Sequence, residues 1–118
     1  MRILVVDDEP EFVDVVRETL LQSGHEVTGA DNGDDAMSHV ARQDFDVILM
    51  DLGMPKRNGL EVVRAMRGEG IDSKIVLMTG WDGETVGADP RVTFCDTVLQ
   101  KPFRRRQLEG VLSSLFPN

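Results

Sequence analysis

An α/β fold built on a doubly wound parallel sheet is the class this sequence predicts, on three observations. Five short apolar runs alternate with segments of helical period along 118 residues, the order expected of strand–helix–strand units. Val47, Ile48, Leu49 and Met50 run without polar alternation, as in a parallel strand buried on both faces. Polar residues end four of the runs: Asp7 and Asp8, Asp51, Thr79, and Lys101. Right-handed crossovers bring all such ends to one edge of the sheet, where open α/β folds place their ligands.

The first strand is Arg2–Val6, β-branched and apolar, stopped by Asp7-Asp8-Glu9-Pro10. Proline in the first turn and acids at the positive dipole end favour a helix start there. Phe12, Val13, Val16 and Leu20 then recur at helical spacing, and Gly24 reads as a stop. Residues 25–30 form a weaker strand around Val27, and Asn32-Gly33 is a turn. A short helix follows with Ala36, Met37, Val40 and Ala41 on its apolar face. Residues 45–50 are the strand that delivers Asp51, after which the chain turns at Gly53 and Pro55. Asn58-Gly59 opens another helix, with Leu60, Val63 and Met66 inward and Gly68 and Gly70 as stops.

Residues 73–78 are the fourth strand, ending in Thr79-Gly80. Gly83, Gly87 and Pro90 interrupt the next segment, because in a helix interior Gly costs about 1 kcal/mol and Pro about 3. The expectation for 81–96 is a weak fourth helix, short and near residues 82–87, within loop. Residues 98–100 are a brief fifth strand, left through Lys101-Pro102-Phe103. Leu108, Val111, Leu112 and Leu115 stripe a last helix.

The length fits a single domain over residues 1–118, and an apolar share of 41% suffices for one core. The net charge of −8 argues against direct nucleic-acid binding, which needs a basic face. Cys95 is the only cysteine, so no internal disulfide forms, and it reads as a small hydrophobe rather than a reactive thiol. No run is long enough to span a membrane, and a cytoplasmic location is expected. His25 and His39 read as surface residues, and Arg104-Arg105-Arg106 as a solvated helix face or a docking patch for an acidic partner.

Three carboxylates at one edge repel: a like-charge pair at ~4 Å costs about 1 kcal/mol in water and about 4 at an effective dielectric of 20. A divalent cation relieves that repulsion. Oxygen ligands without His or Cys favour a hard ion such as Mg²⁺. With the Lys101 ammonium and the Thr79 hydroxyl added, the edge is a cradle for a phosphoryl group, and Asp51 is the candidate nucleophile.

Val-Val-Asp-Asp-Glu-Pro at 5–10, Ile-Leu-Met-Asp-Leu-Gly-Met-Pro at 48–55 with Gly59 beyond, Met-Thr-Gly at 78–80 and Leu-Gln-Lys-Pro-Phe at 99–103 together resemble the receiver domain of two-component response regulators. The resemblance covers essentially the whole chain. It implies the flavodoxin-like, CheY-like fold with strand order 2-1-3-4-5. It also implies Asp51 as phosphoacceptor, Asp8 as direct Mg²⁺ ligand, Asp7 as the acid that binds the metal through water, and Gly53 as a backbone-carbonyl ligand. Thr79 matches the switch hydroxyl, and Lys101 matches the basic residue that pairs with the phosphoryl group. The implied donor is a sensor histidine kinase or histidine phosphotransfer protein. The implied recipient is a downstream effector or a C-terminal output domain. Such a module is a signalling phosphoacceptor and not an enzyme, beyond phosphorylating and dephosphorylating itself.

Two departures from the family pattern stand out. Val98 occupies the position where the family often has an aromatic switch residue, and the chain has no tyrosine. The segment 81–96 is loosened by its glycines and proline, and is expected to order on phosphorylation or partner binding. Trp81 and Pro102 flank the site, with Trp81 either shielding an acyl phosphate or packing on the surface. The alternative reading is a receiver-shaped interaction module with little phosphorylation-driven switching. A flavodoxin-type cofactor site is disfavoured because Asp7-Asp8-Glu9 would repel a phosphate. A haloacid-dehalogenase-type phosphatase needs an acid where Gly53 stands.

Overall fold

The computed structural model describes residues 1–80 and 86–117. Strands β1 (Arg2–Val6), β2 (Glu26–Ala30), β3 (Val47–Asp51), β4 (Lys74–Thr79) and β5 (Thr97–Gln100) alternate with helices α1 (Pro10–Gln22), α2 (Gly33–Arg42) and α3 (Gly59–Gly68), then a 3-10 helix Pro90–Phe94, and α4 (Arg105–Leu115) closes the order. The five strands form one sheet in the order β2-β1-β3-β4-β5, every pairing parallel. This is the predicted doubly wound architecture.

Strand alternation splits the core into two layers. Leu4, Val6, Ile48, Met50, Ile75 and Leu77 face α2 and α3, meeting Ala36, Val40, Leu60, Val63 and Met66. Ile3, Val5, Val47, Leu49, Val76 and Met78 face the other way, against Val16 and Leu20 of α1 and Leu108 and Leu112 of α4. Because both faces are covered, β3 has no exposed residue. That explains its unbroken apolar run.

Local signals set the helix ends. Asn32 and Asn58 cap α2 and α3, each accepting a backbone N–H three residues on, at 2.7 and 3.0 Å. Glu9 precedes Pro10 at the start of α1 without a side-chain cap, so neither Asp7 nor Asp8 is spent as its cap residue. Gly24 and Gly70 take positive φ just beyond α1 and α3, where a left-handed residue ends the helix.

Two readings need correction, and a third falls mostly outside the described residues. Ala41 is exposed and does not share the inward face of α2, which turns Gly33, Ala36 and Val40 to the core. Val62, outside the expected stripe of α3, is buried, because α2 packs on that side. Between β4 and β5, the helical residues described are Val86 and Gly87 and the 3-10 helix that Pro90 opens. Most of the expected helix near 82–87, and Trp81, lie outside the described residues.

Candidate functional site

All five strands point their carboxyl ends to one edge, and the predicted residues meet there. Asp7 follows β1, Asp51 ends β3, Thr79 ends β4, and Lys101 follows β5. Asp7 is 0% exposed, Thr79 2% and Asp51 7%. Asp8, one residue on, is partly exposed. One carboxylate oxygen from each of Asp7, Asp8 and Asp51 lies within 4.8 Å of the others.

Lys101 binds the buried pair. Its Nζ donates to Asp7 Oδ2 at 2.6 Å and to Asp51 Oδ1 at 3.0 Å. The other oxygen of Asp7 accepts the Glu9 N–H at 2.9 Å, which fixes the carboxylate against the turn into α1. Phe12 of α1 lies over the ammonium, its ring centroid 4.2 Å from Nζ. Phe103 stands perpendicular to that ring at 5.8 Å. The Lys101–Pro102 peptide is cis. Pro102 itself is exposed at the rim.

Burial pushes the Asp51 carboxyl above its usual range, and the charges of Asp7 and Asp8 push the same way. The Lys101 bond opposes them without cancelling them. Burial works against the charged form of Lys101, but its bonds to Asp7 and Asp51 and their charges outweigh it, so its pKa is raised. The site therefore keeps a firmly protonated cation beside an unusually basic carboxylate.

A cleft of about 270 Å³ opens over this arrangement, lined by Glu9, Asp51, Leu52, Gly53, Thr79, Gly80 and Lys101. A larger cleft of about 350 Å³ adjoins it, between Asp8, Asp31 and Asp34 on one side and Lys56 and Arg57 on the other. Of the two, the smaller one contains Asp51 and Lys101. Among the described residues, three carboxylates face a single ammonium, an excess of negative charge in a set of oxygen donors. That donor set fits a hard divalent ion such as Mg²⁺. Asp7, Asp8 and Asp51 would hold it, and Gly53 lines the smaller cleft together with Asp51.

Every predicted site residue in the described regions lies at this edge except Val98. Val98 sits in β5 opposite Leu77 and packs, partly buried, on the α2–α3 side of the core. What the sequence did not disclose is Phe12. Its helical spacing marked it as a core residue, and nothing local ties it to Lys101, which is distant in the chain.

The chain matches the family described as response regulator receiver domain over residues 3–113. It is 35% identical over 115 residues to the response regulator MprA of Mycobacterium leprae, covering 98% of this chain and 50% of that protein. It is 31% identical to the transcriptional regulatory protein DltR of Streptococcus agalactiae, covering 92% and 48%. The chain thus spans about half the length of these curated relatives. Among solved structures, the response regulator TrrA of Thermotoga maritima in complex with Mg²⁺-BeF aligns with a TM-score of 0.89 at 32% identity, covering 98% of each chain. The chemotaxis protein CheY4 of Vibrio cholerae aligns with a TM-score of 0.91 at 28% identity, also covering 98% of each. TrrA has also been solved in complex with the histidine kinase ThkA. With its parallel sheet in the order 2-1-3-4-5 and its acidic edge around Lys101, the chain belongs to the response regulator receiver domain family.

Proposed function

We propose that residues 1–118 act as one receiver module, in which Asp51 accepts a phosphoryl group from the phosphohistidine of a sensor histidine kinase or phosphotransfer protein. The observation that carries this reading is the Lys101 ammonium bonded to both Asp7 and Asp51, with Asp8 beside them. The histidine-kinase complex of TrrA supports the partner class.

An oxygen of Asp51 attacks phosphorus, and the bond from phosphorus to the donor imidazole breaks. The electron pair stays on the departing nitrogen, which is protonated from solvent. Burial makes Asp51 a stronger base and hence a better nucleophile than an exposed aspartate. Lys101 stands ready at the oxygens where negative charge collects. The Thr79 hydroxyl, at the rim of the same cleft, takes a phosphoryl oxygen once Asp51 is modified. Asp7, Asp8, Asp51 and the Gly53 carbonyl would hold a Mg²⁺ ion, which would supply charge neutralisation to the phosphoryl group when bound. Return of the carboxylate is self-dephosphorylation by water. The signal passes to an effector protein or an output domain. The setting is the cytoplasm, and among the described residues no helix is long and apolar enough to cross a membrane.

Incubation with acetyl phosphate, with and without Mg²⁺, followed by intact-mass measurement tests the reading. A single phosphoryl adduct that needs Mg²⁺ is expected. An adduct that persists in Asp51→Asn, or none with any phosphodonor, overturns it.

A further inference from the structure

We propose that Phe12 is a positioning residue for the phosphoryl chemistry: its ring face holds the Lys101 ammonium against Asp7 and Asp51, and Phe103 holds the ring. The inference rests on the reading of Asp51 as phosphoacceptor and deepens it.

An ammonium has three N–H bonds to place. Lys101 aims two at Asp7 and Asp51, at 2.6 and 3.0 Å. The Phe12 centroid lies 4.2 Å from Nζ, inside the ~6 Å range over which an aromatic face attracts a cation. No water fits between ring and nitrogen at that separation. Lysine is a compact charge on a flexible four-carbon stem, and two carboxylates on one side do not keep it from swinging outward. The ring, with its centroid 4.2 Å from Nζ, adds a third restraint to the two carboxylates.

An apolar ring suits this task better than a third acid would. A carboxylate at position 12 would also hold the lysine, but it would cancel the charge that the phosphoryl oxygens need. Phe12 restrains the ammonium and leaves its charge available. The ring is itself restrained: its plane meets that of Phe103 at 87°, with centroids 5.8 Å apart, a favoured edge-to-face geometry. Phe103 lies two residues beyond Lys101, and both rings pack on the α1–α4 layer of the core. The start of α1 and the segment after β5 are therefore joined through the lysine that serves the site.

Two measurements test this. The chain has three lysines, Lys56, Lys74 and Lys101, so their ε-methylene NMR signals are readily assigned. The Lys101 ε-protons should lie upfield of the other two through the ring current of Phe12. The upfield shift should vanish in Phe12→Leu, which keeps apolar bulk, and survive in Phe12→Tyr, which keeps the ring. Phosphorylation by acetyl phosphate should slow about threefold to thirtyfold in Phe12→Leu, and Phe12→Tyr should recover most of the rate. An unshifted Lys101 signal in the unmodified protein overturns the proposal even if Phe12→Leu fails to fold. So does a Phe12→Leu protein that is phosphorylated at the unmodified rate. Absence of any adduct on the unmodified protein rejects the phosphoacceptor reading itself, and with it the role of Phe12.

Discussion

Asp51 is held in a state that opposes stability. Its carboxyl is raised above 3.8, first by burial and then by Asp7 and Asp8, with Lys101 opposing. Between 3.8 and the raised folded value, the native protein binds a proton that the unfolded chain has lost, so stability falls as pH rises through that window. In chelator at neutral pH, Asp51→Asn should therefore melt above the unmodified protein, and the gap should narrow as pH drops through that window and be closed below about 3.8; thermal melts across pH check this. Lys101 has the opposite sign. Its removal strands Asp7, which is 0% exposed. Breaking a buried pair costs ~3–5 kcal/mol, and the partial exposure of Lys101 lowers this, so Lys101→Met should destabilise by about 2 kcal/mol in denaturant titrations. Cys95 behaves as the sequence suggests. Burial pushes its thiol up to about 11, so its alkylation by iodoacetamide should keep accelerating with pH well beyond 9, where a free cysteine has levelled off. A plateau near 9 would contradict its burial.

Among the elements, α3 both abuts the backbone of Asp51 and anchors the far edge of the sheet. The Gly59 N–H donates to the Leu52 carbonyl at 2.9 Å. A Cβ on Gly59 would run into the backbone carbonyl of Asp51 and approach Met50 Cγ to 3.0 Å. Gly59→Ala should thus displace the end of β3 that carries Asp51, lowering both melting temperature and phosphorylation rate. At the other end of α3, Arg67 donates to the carbonyls of Phe94, Ile71 and Ser73 and to Asp96 Oδ2, at 3.0, 2.8, 2.8 and 3.1 Å. Asp96 also accepts the Ile75 N–H at 2.8 Å. One planar fork ties α3, the turn into β4 and the approach to β5. Arg67→Ala should cost about 2–3 kcal/mol in denaturant titrations, and Arg67→Lys should not restore it, because a point charge cannot make the fork.

The same elements show what the sequence discloses. While Asn32, read as a turn, also caps α2, the helix start at Asn58, the proline at the start of α1 and stops at Gly24 and Gly70 are local chemistry and were readable. Val62 and Ala41 were not, because burial there depends on where α2 and α3 meet. Arg67 reads as an ordinary helix-end cation until the fold brings Asp96 to it. Phe12 is the same case at the site.

For the whole molecule, function follows from connectivity. No segment contains the site; the parallel sheet collects Asp7, Asp51, Thr79 and Lys101 from four strand ends spread along the chain. Five alternating units made that edge legible before any coordinates. The route away from it was less so, since Val98 replaces the family's frequent aromatic and packs on the α2–α3 layer instead. Phosphorylation should then be felt through β4, β5 and the segment between them. Hydrogen exchange should show greater protection across residues 86–96 in the phosphorylated protein than in the free one, with α2 little changed. Equal protection in the two states would contradict this. The central claim concerns which carboxylate reacts. Borohydride reduces an aspartyl phosphate to homoserine, and peptide sequencing then locates it. The account predicts homoserine at position 51 alone; homoserine at position 7 or 8, or at none, would contradict it.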